Sequence, residues 1–155
     1  MKKLLILFLL VFLLGCSSAS GGGPTRYTTF LGVDLGMSFS EVTAILGTGT
    51  YYGWAIKNGG TIYFYSYSGS KYVGFIDNVV REIIIETAAW SIEEITVGST
   101  RSFVQDKVGT TDINSNSSTH YNWFYADRNI FVSINKSSDL VDYIGIYDPD
   151  YAAPY

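Results

Sequence analysis

The sequence predicts an α+β fold of two tandem units, each a short helix packed on an antiparallel sheet of three to four strands. The first observation is an internal repeat, because residues 31–88 and 91–149 contain similar segments in the same order. Gly36 and Gly47 recur 62 positions later as Gly98 and Gly109. The second observation is that each unit opens with a helix signal and continues with aromatic segments typical of strands.

The amino terminus predicts an exported, lipid-anchored protein. Lys2 and Lys3 precede an apolar run of about 11 residues, too short for a membrane-spanning helix, which needs about 20. The run ends in Leu-Leu-Gly-Cys at Cys16, which resembles the lipoprotein box of bacteria. The resemblance implies that residues 1–15 are a signal peptide and that Cys16 carries acyl chains such as palmitate. The alternative is a free or disulfide-bonded thiol in a secreted protein.

Residues 16–30 are predicted to be the lipidated cysteine and a flexible tether, because this stretch is rich in serine and glycine. We therefore expect the protein in the bacterial cell envelope, outside the cytoplasm. Ser17, which follows the lipidated cysteine, resembles an outer-membrane sorting signal if the host has two membranes. The acyl chains on Cys16 are the expected contact with the membrane.

Charge excludes nucleic acid as an expected partner. Cleavage before Cys16 would leave 8 basic residues against 14 acidic ones, and no basic patch is visible in the sequence. The single cysteine also excludes a disulfide scaffold, so stability has to come from a packed core.

Each unit is predicted to begin with a short capped helix. Ser38 and Glu41 have the spacing of a capping box, and Gly47 can end the helix. In the second unit Thr100 is the predicted cap and Gly109 the predicted end. The apolar stripes at helical spacing are Val42, Ile45 and Leu46 in the first unit, and Phe103, Val104 and Val108 in the second.

The predicted strands follow each helix. Asn58-Gly59 is a strong hairpin signal between the strands 51–56 and 61–67. Further strands are predicted at 72–76 and 79–87 in the first unit, and near 120–126, 130–135 and 140–147 in the second. The polar segment Thr110 to Thr119 is predicted to be a loop.

This order of Gly-x-Ser/Thr, Val, Leu/Val-Gly and aromatic strands resembles the fold shared by the β-lactamase inhibitor protein and the SmpA/OmlA outer-membrane lipoproteins. Tandem copies resemble the inhibitor, and the lipid anchor resembles SmpA/OmlA. The chain departs from these families at Thr48 and Thr110, where a proline often follows the glycine, and it lacks the inhibitor's disulfides. The resemblance implies the helix-plus-sheet fold and, as an alternative function, enzyme inhibition.

No catalytic set, cofactor or metal site is predicted. His120 is the only histidine, so any Ser-His-Asp arrangement would have to use it. Glu93-Glu94 is predicted to be a solvated acidic edge rather than a pair for acid–base catalysis, and Asp148-Pro149-Asp150 is too short to indicate a calcium site. We therefore expect a protein that is not an enzyme.

Alternation along the strands predicts a surface rich in tyrosine and tryptophan that binds a partner. The helices are expected to cover the opposite faces. In the last strand of each unit, Tyr143 and Tyr147 are predicted to lie on the face where the first unit has Glu82 and Glu86. The alternative is that these rings only stabilise the sheets. The predicted partner-binding residues are Tyr63, Tyr65, Tyr67, Tyr121, Trp123, Tyr125, Tyr143 and Tyr147.

The sequence therefore predicts a lipid-anchored envelope protein that acts as a non-catalytic protein-binding or scaffolding module. The main alternative is a surface-anchored inhibitor of a secreted or periplasmic enzyme such as a β-lactamase, with Thr48–Tyr52 or Asp112–Ser118 as the inhibitory loop. A hydrolase that uses His120 and a carbohydrate-binding module that uses Trp123 are further alternatives.

Overall fold

The computed structural model describes residues 24–111 and 113–152, so the predicted signal peptide and Cys16 lie outside the described residues. The described elements run in the order β1 (Thr29–Phe30), β2 (Val33–Asp34), α1 (Phe39–Leu46), β3 (Thr50–Lys57), β4 (Gly60–Tyr67), β5 (Lys71–Ile76), β6 (Val79–Ile85), α2 (Arg101–Val108), β7 (Ile113–Asn116), β8 (His120–Tyr125), β9 (Ile130–Asn135) and β10 (Val141–Tyr147). No helix in this part of the chain has the length and apolar character needed to cross a bilayer.

Eight of these strands form one antiparallel sheet in the order β3-β4-β5-β6-β10-β9-β8-β7. The predicted fold class of two tandem helix-on-sheet units is therefore wrong, because the fold is dominated by a continuous sheet to which both halves contribute. The join is the pairing of β6 with β10, where Ile85 faces Ile144 and Ile83 faces Ile146. Local sequence patterns predicted the individual strands but carried no information on this long-range pairing. The pairing gives β6 and β10 each a second hydrogen-bonded neighbour.

The sheet is strongly curled. Six strand spacings separate β3 from β8, which would be about 29 Å in a flat sheet. Nevertheless, the Lys57 ammonium on β3 lies 5.4 Å from the centre of the Phe124 ring on β8. Curling therefore gives the sheet a concave face, and the two helices lie on the other side.

Both helices begin and end where the sequence predicts. The Ser38 hydroxyl accepts a hydrogen bond from the Glu41 amide, and the Glu41 carboxylate accepts one from the Ser38 amide at 2.8 Å. The Thr100 hydroxyl accepts a bond from the Phe103 amide at 3.2 Å. Gly47 ends α1 with a positive φ of 82°, which a residue with a side chain adopts reluctantly.

The core lies mainly between the helices and the helix-facing side of the sheet. Val42 and Val104 are the fully buried anchors of the two helices, and they pack with central strand residues such as Ile83 and Ile144. A smaller apolar cluster lies on the concave face, and its buried members are Ile62, Ile76, Phe124, Phe131, Tyr147 and Ala152.

Two segments differ locally from the prediction. Ile113–Asn116, within the predicted loop, forms β7 and pairs with β8. The polar composition of this segment gives no strand signal in the sequence, because strand formation here depends on the neighbouring strand β8 more than on local propensity. The predicted tether also ends earlier than residue 30, since the Tyr27 amide donates to the Arg128 carbonyl at 2.9 Å.

Candidate functional site

The predicted aromatic surface is divided between the two faces of the sheet. Five of its eight members pack in the core beneath the helices, where Tyr67 is 7%, Trp123 6% and Tyr125 1% exposed, and Tyr65 and Tyr121 are partly buried. The expectation that the helices cover the opposite face is therefore wrong. Alternation shows which residues share a face, but it does not show which face the helices will cover.

The other three predicted residues lie in different places. Tyr63 is 47% exposed and faces Trp54 across the β3–β4 pair, at the outer edge of the sheet. Tyr147 is fully buried on the concave face, 5.1 Å from the Phe124 ring. Tyr143 also lies on the concave face, where it is partly exposed and lines an open groove.

The groove is a cavity of about 300 Å³ on the concave face. One wall consists of residues from the first half of the chain: Tyr52, Phe64, Tyr72, Ile84 and Glu86. The opposite wall is contributed by β8, β9 and β10, and includes His120, Asn122, Phe131, Ser133 and Tyr143. Small-molecule sites commonly have about 300–1,000 Å³ and combine apolar walls with a few polar groups, so this groove is the candidate site.

A β-bulge brings Tyr52 to the groove. Tyr51 faces Tyr65 and Gly53 faces Phe64, so Tyr52 is the extra residue on β3. Its ring lies 4.7 Å from the ring of Tyr72 on β5, with 57° between the two planes. The two rings therefore form a corner at one end of the groove.

Glu86 lies behind this corner. The Tyr72 hydroxyl donates to the Glu86 carboxylate at 2.8 Å. Burial, this hydrogen bond and the carboxylate charge raise the pKa of Tyr72 to about 12, so its hydroxyl stays protonated at neutral pH. Burial, followed by the charge of Glu86, also raises the pKa of Tyr143. The Glu86 carboxylate is thus close enough to both hydroxyls to influence their ionisation.

His120 is held on both sides at the other end of the groove. Its Nε2 lies 2.8 Å from an Asp142 carboxylate oxygen, and its Nδ1 lies 2.8 Å from the Thr119 hydroxyl. Burial alone would raise the pKa of Asp142, but hydrogen bonds from Asn135 and His120 lower it. The His120 ring lies 5.6 Å from the Tyr143 ring, so the pair fixes one side of the groove.

The Thr119–His120–Asp142 chain has the order of bonds found in hydrolase triads. The residue in the position of the nucleophile is Thr119, which is adjacent to His120 in the sequence and lies in the exposed turn between β7 and β8.

Within residues 24–111 and 113–152, no group of three His, Cys, Asp or Glu side chains could hold a metal ion.

The floor of the groove offers one further polar group. The buried Ser133 hydroxyl donates to the side-chain oxygen Oδ1 of Asn122 at 2.7 Å, which orients the side-chain amide of Asn122. The side-chain nitrogen Nδ2 of Asn122 has no acceptor among the described residues, and it is free to donate to a ligand.

Sequence reasoning missed Tyr52, Tyr72, Asn122 and Glu86 as site residues. A signal existed for Glu86, because alternation placed Glu82 and Glu86 in the phase of Tyr143 and Tyr147. The bulge at Tyr52 has no sequence signature, and bulges decide the face on which a residue emerges. The segments predicted as inhibitory loops are largely strand, since β3 begins at Thr50 and β7 at Ile113.

Three solved structures resemble this fold. A cysteine-rich secretory protein from Staphylococcus aureus has a TM-score of 0.54 and 10% identity, and the match covers 81% of this chain and 48% of that one. An extracellular protein containing an SCP domain, from Bacillus anthracis, has a TM-score of 0.48 and 10% identity over 75% of this chain and 44% of that one. A DUF4309 family protein from Bacillus subtilis has a TM-score of 0.47 and 16% identity over 72% of this chain and 78% of that one.

The chain thus spans about half the length of the Staphylococcus aureus protein, and the likeness at this identity concerns the fold. No family model matches the chain, and no curated protein matches it in sequence.

Proposed function

We propose that the chain is a lipid-anchored protein of the bacterial envelope that binds a partner molecule in the concave groove without catalysing a reaction. The observation that carries this proposal is the groove itself. It leaves aromatic rings and polar atoms accessible on the face of the sheet that the helices do not cover. Of the other aromatic residues, six are buried in the core, where they serve packing: Tyr67, Phe75, Trp123, Phe124, Tyr125 and Tyr147.

The geometry of the groove favours binding. Its walls come from both halves of one continuous sheet, so the recognition residues stand on strands rather than on loops. Side chains on paired strands lose little further freedom when a ligand binds, and tyrosine offers both a large ring and a hydroxyl.

The anchor rests on the sequence around Cys16, outside the described residues. A lipid on Cys16 would hold the domain at a membrane surface through a serine- and glycine-rich tether. The structural neighbour from Staphylococcus aureus is described as a secretory protein, which is compatible with a location outside the cytoplasm.

Site-specific crosslinking in living cells tests the groove. A photoreactive phenylalanine analogue replaces Tyr143, and the matched control carries it at Tyr63, which lies on the other side of the sheet. We expect a discrete adduct from position 143 only, and mass spectrometry then gives its chemical class. The same adduct from both positions, or none from position 143, would contradict binding in the groove.

Metabolic labelling tests the anchor separately. The Cys16→Ser variant should lose incorporation of labelled palmitate and move from the membrane fraction to the soluble fraction. A variant that keeps both the label and the membrane location would show that Cys16 is not the anchor. A Ser18→Ala variant, also within the tether, should behave like the wild type.

A further inference from the structure

Glu86 is a carboxylate in the groove, and none of the basic side chains within residues 24–111 and 113–152 forms an ion pair with it. Its described partner is the neutral hydroxyl of Tyr72. Five basic residues form ion pairs with acidic residues other than Glu86: Lys57, Arg81, Arg101, Lys107 and Arg128. A charge that lies partly buried without a counter-charge is unfavourable, and a cationic ligand would relieve this cost.

Lys136, in the turn that follows β9, also has partners elsewhere. Its ammonium donates to the Ser117 carbonyl at 2.7 Å and lies 5.1 Å from the Tyr121 ring. Lys71, on β5, emerges beside Val73 and Phe75, on the helix-facing side of the sheet. Neither side chain therefore neutralises Glu86.

Three tyrosines line the groove together with this carboxylate. Tyr52 and Tyr72 form the tilted corner, and Tyr143 lies on β10, the strand that pairs with β6. The face of a tyrosine ring carries negative potential and attracts cations within about 6 Å of its centre. Several aromatic rings arranged as a cage are the means by which proteins recognise quaternary ammonium groups, and a nearby carboxylate adds an opposite charge.

Building on the proposed binding function, we propose that the groove recognises an alkylammonium group, held between Tyr52, Tyr72 and Tyr143 with Glu86 as its counter-charge. A trimethylammonium group suits this site better than a metal ion, because it offers methyl groups to the rings and needs no array of oxygen ligands. The Asn122 amide, on the groove floor, would donate to a hydroxyl or ester oxygen attached to the same ligand.

Calorimetric titration with choline chloride tests the assignment. The full-length protein is kept in dodecyl maltoside, a detergent without an ammonium group. The matched probe is 3,3-dimethylbutan-1-ol, which has the shape of choline but a carbon in place of the charged nitrogen. We expect choline to bind at least about tenfold more tightly than this neutral analogue. Equal affinities would overturn the proposal.

Variants of the protein give the second readout. Glu86→Gln keeps the shape and removes the charge, and it should weaken choline binding about tenfold while hardly changing binding of the neutral analogue. Tyr143→Leu should weaken choline binding similarly, and Tyr63→Leu should not. Unchanged choline affinity in a folded Glu86→Gln protein would also overturn the proposal, and circular dichroism verifies folding.

Glycerophosphocholine distinguishes two sources of the group. Binding of both compounds would indicate a lipid headgroup as the natural source, and binding of choline alone would indicate a small solute. If position 143 yields an adduct in cells but choline does not bind, the groove remains a binding site and only the alkylammonium assignment falls.

Discussion

At the scale of single residues, the most consequential pair is Lys57 and Glu82 on the concave face. Glu82 is 1% exposed, and its carboxylate lies 3.2 Å from the Lys57 ammonium. Burial raises the pKa of Glu82, and the charge of Lys57 partly offsets this effect. The pair joins β3 to β6 across the curl of the sheet. It therefore contributes to the curvature that forms the groove as well as to the stability of the fold.

Removing the lysine should destabilise the protein strongly. In Lys57→Met the buried carboxylate loses its counter-charge, and we expect the free energy of unfolding at pH 7 to fall by about 3–5 kcal/mol. Urea unfolding measures this change. Lys71→Met removes a lysine with no described ion pair and should change stability by less than about 0.5 kcal/mol. Equal losses in the two variants would contradict the role of the pair.

The deficit of Lys57→Met should depend on pH. Glu82 holds its proton more tightly in the folded protein than in the unfolded chain, because burial raises its pKa. A group of this kind stabilises the fold at low pH and loses that contribution as the pH rises through its folded pKa. We therefore expect the deficit against the wild type to shrink between pH 7 and pH 5. A constant or growing deficit would argue against an unpaired carboxylate as its cause.

At the scale of elements, the short helices depend on their caps. Both are 8 residues long, a length that is marginal in water without packing and capping. The capping box at Ser38 satisfies amides that would otherwise lack partners in the first turn. These signals are local in the sequence, which explains why both helix boundaries could be predicted from it.

Ser38→Ala should lower the free energy of unfolding by about 1 kcal/mol, because it removes the acceptor of the Glu41 amide. Thermal or urea unfolding measures the change. Ser68→Ala, in the exposed turn after β4, is the control and should be close to neutral. A neutral result for Ser38→Ala would mean that packing alone holds the helix.

The edge strand β3 is the element most exposed to unwanted pairing. Tyr51, Trp54 and Ile56 are each more than half exposed, and Lys57 is the only charged residue in Thr50–Lys57. Natural proteins usually protect such edges with charges or proline. We therefore expect self-association at high concentration to proceed through this strand.

Ile56→Lys should reduce that self-association, because it places a charge on the edge. Dynamic light scattering over time at high protein concentration follows the effect. Ile45→Lys is the matched control, since it adds the same charge at an exposed isoleucine of α1, away from the edge. Equal effects of the two substitutions would assign the change to net charge rather than to the strand edge.

At the scale of the whole molecule, the β6–β10 pairing joins the two halves of the described chain into one body. Gly145 lies at this join, where an added Cβ would stand 2.0 Å from the Ile83 carbonyl oxygen. The backbones of the central strands thus approach so closely that only glycine fits at this position. The curl, and with it the groove, depends on this central pairing.

Gly145→Ala should lower the free energy of unfolding by at least about 2 kcal/mol, because backbone atoms cannot yield as a side chain does. In this variant, as in the wild type, unfolding should be a single transition when it is followed by circular dichroism and by tryptophan fluorescence. Gly53→Ala, where a Cβ meets nothing within 4 Å, is the control. Separate transitions in the wild type would mean that the two halves unfold independently.

Local signals in the sequence were sufficient for the helix caps, the Asn58-Gly59 hairpin and most strand segments, since each depends on residues close together in the chain. They also placed Glu82 and Glu86 in one phase with Tyr143 and Tyr147. Only the tertiary structure decided that the strands form one curled sheet, that the helices cover most of the predicted aromatic face, and that Tyr52 reaches the groove. These outcomes depend on strand pairing, bulges and closure between residues far apart in sequence, and alternation along a single strand carries no information on any of them.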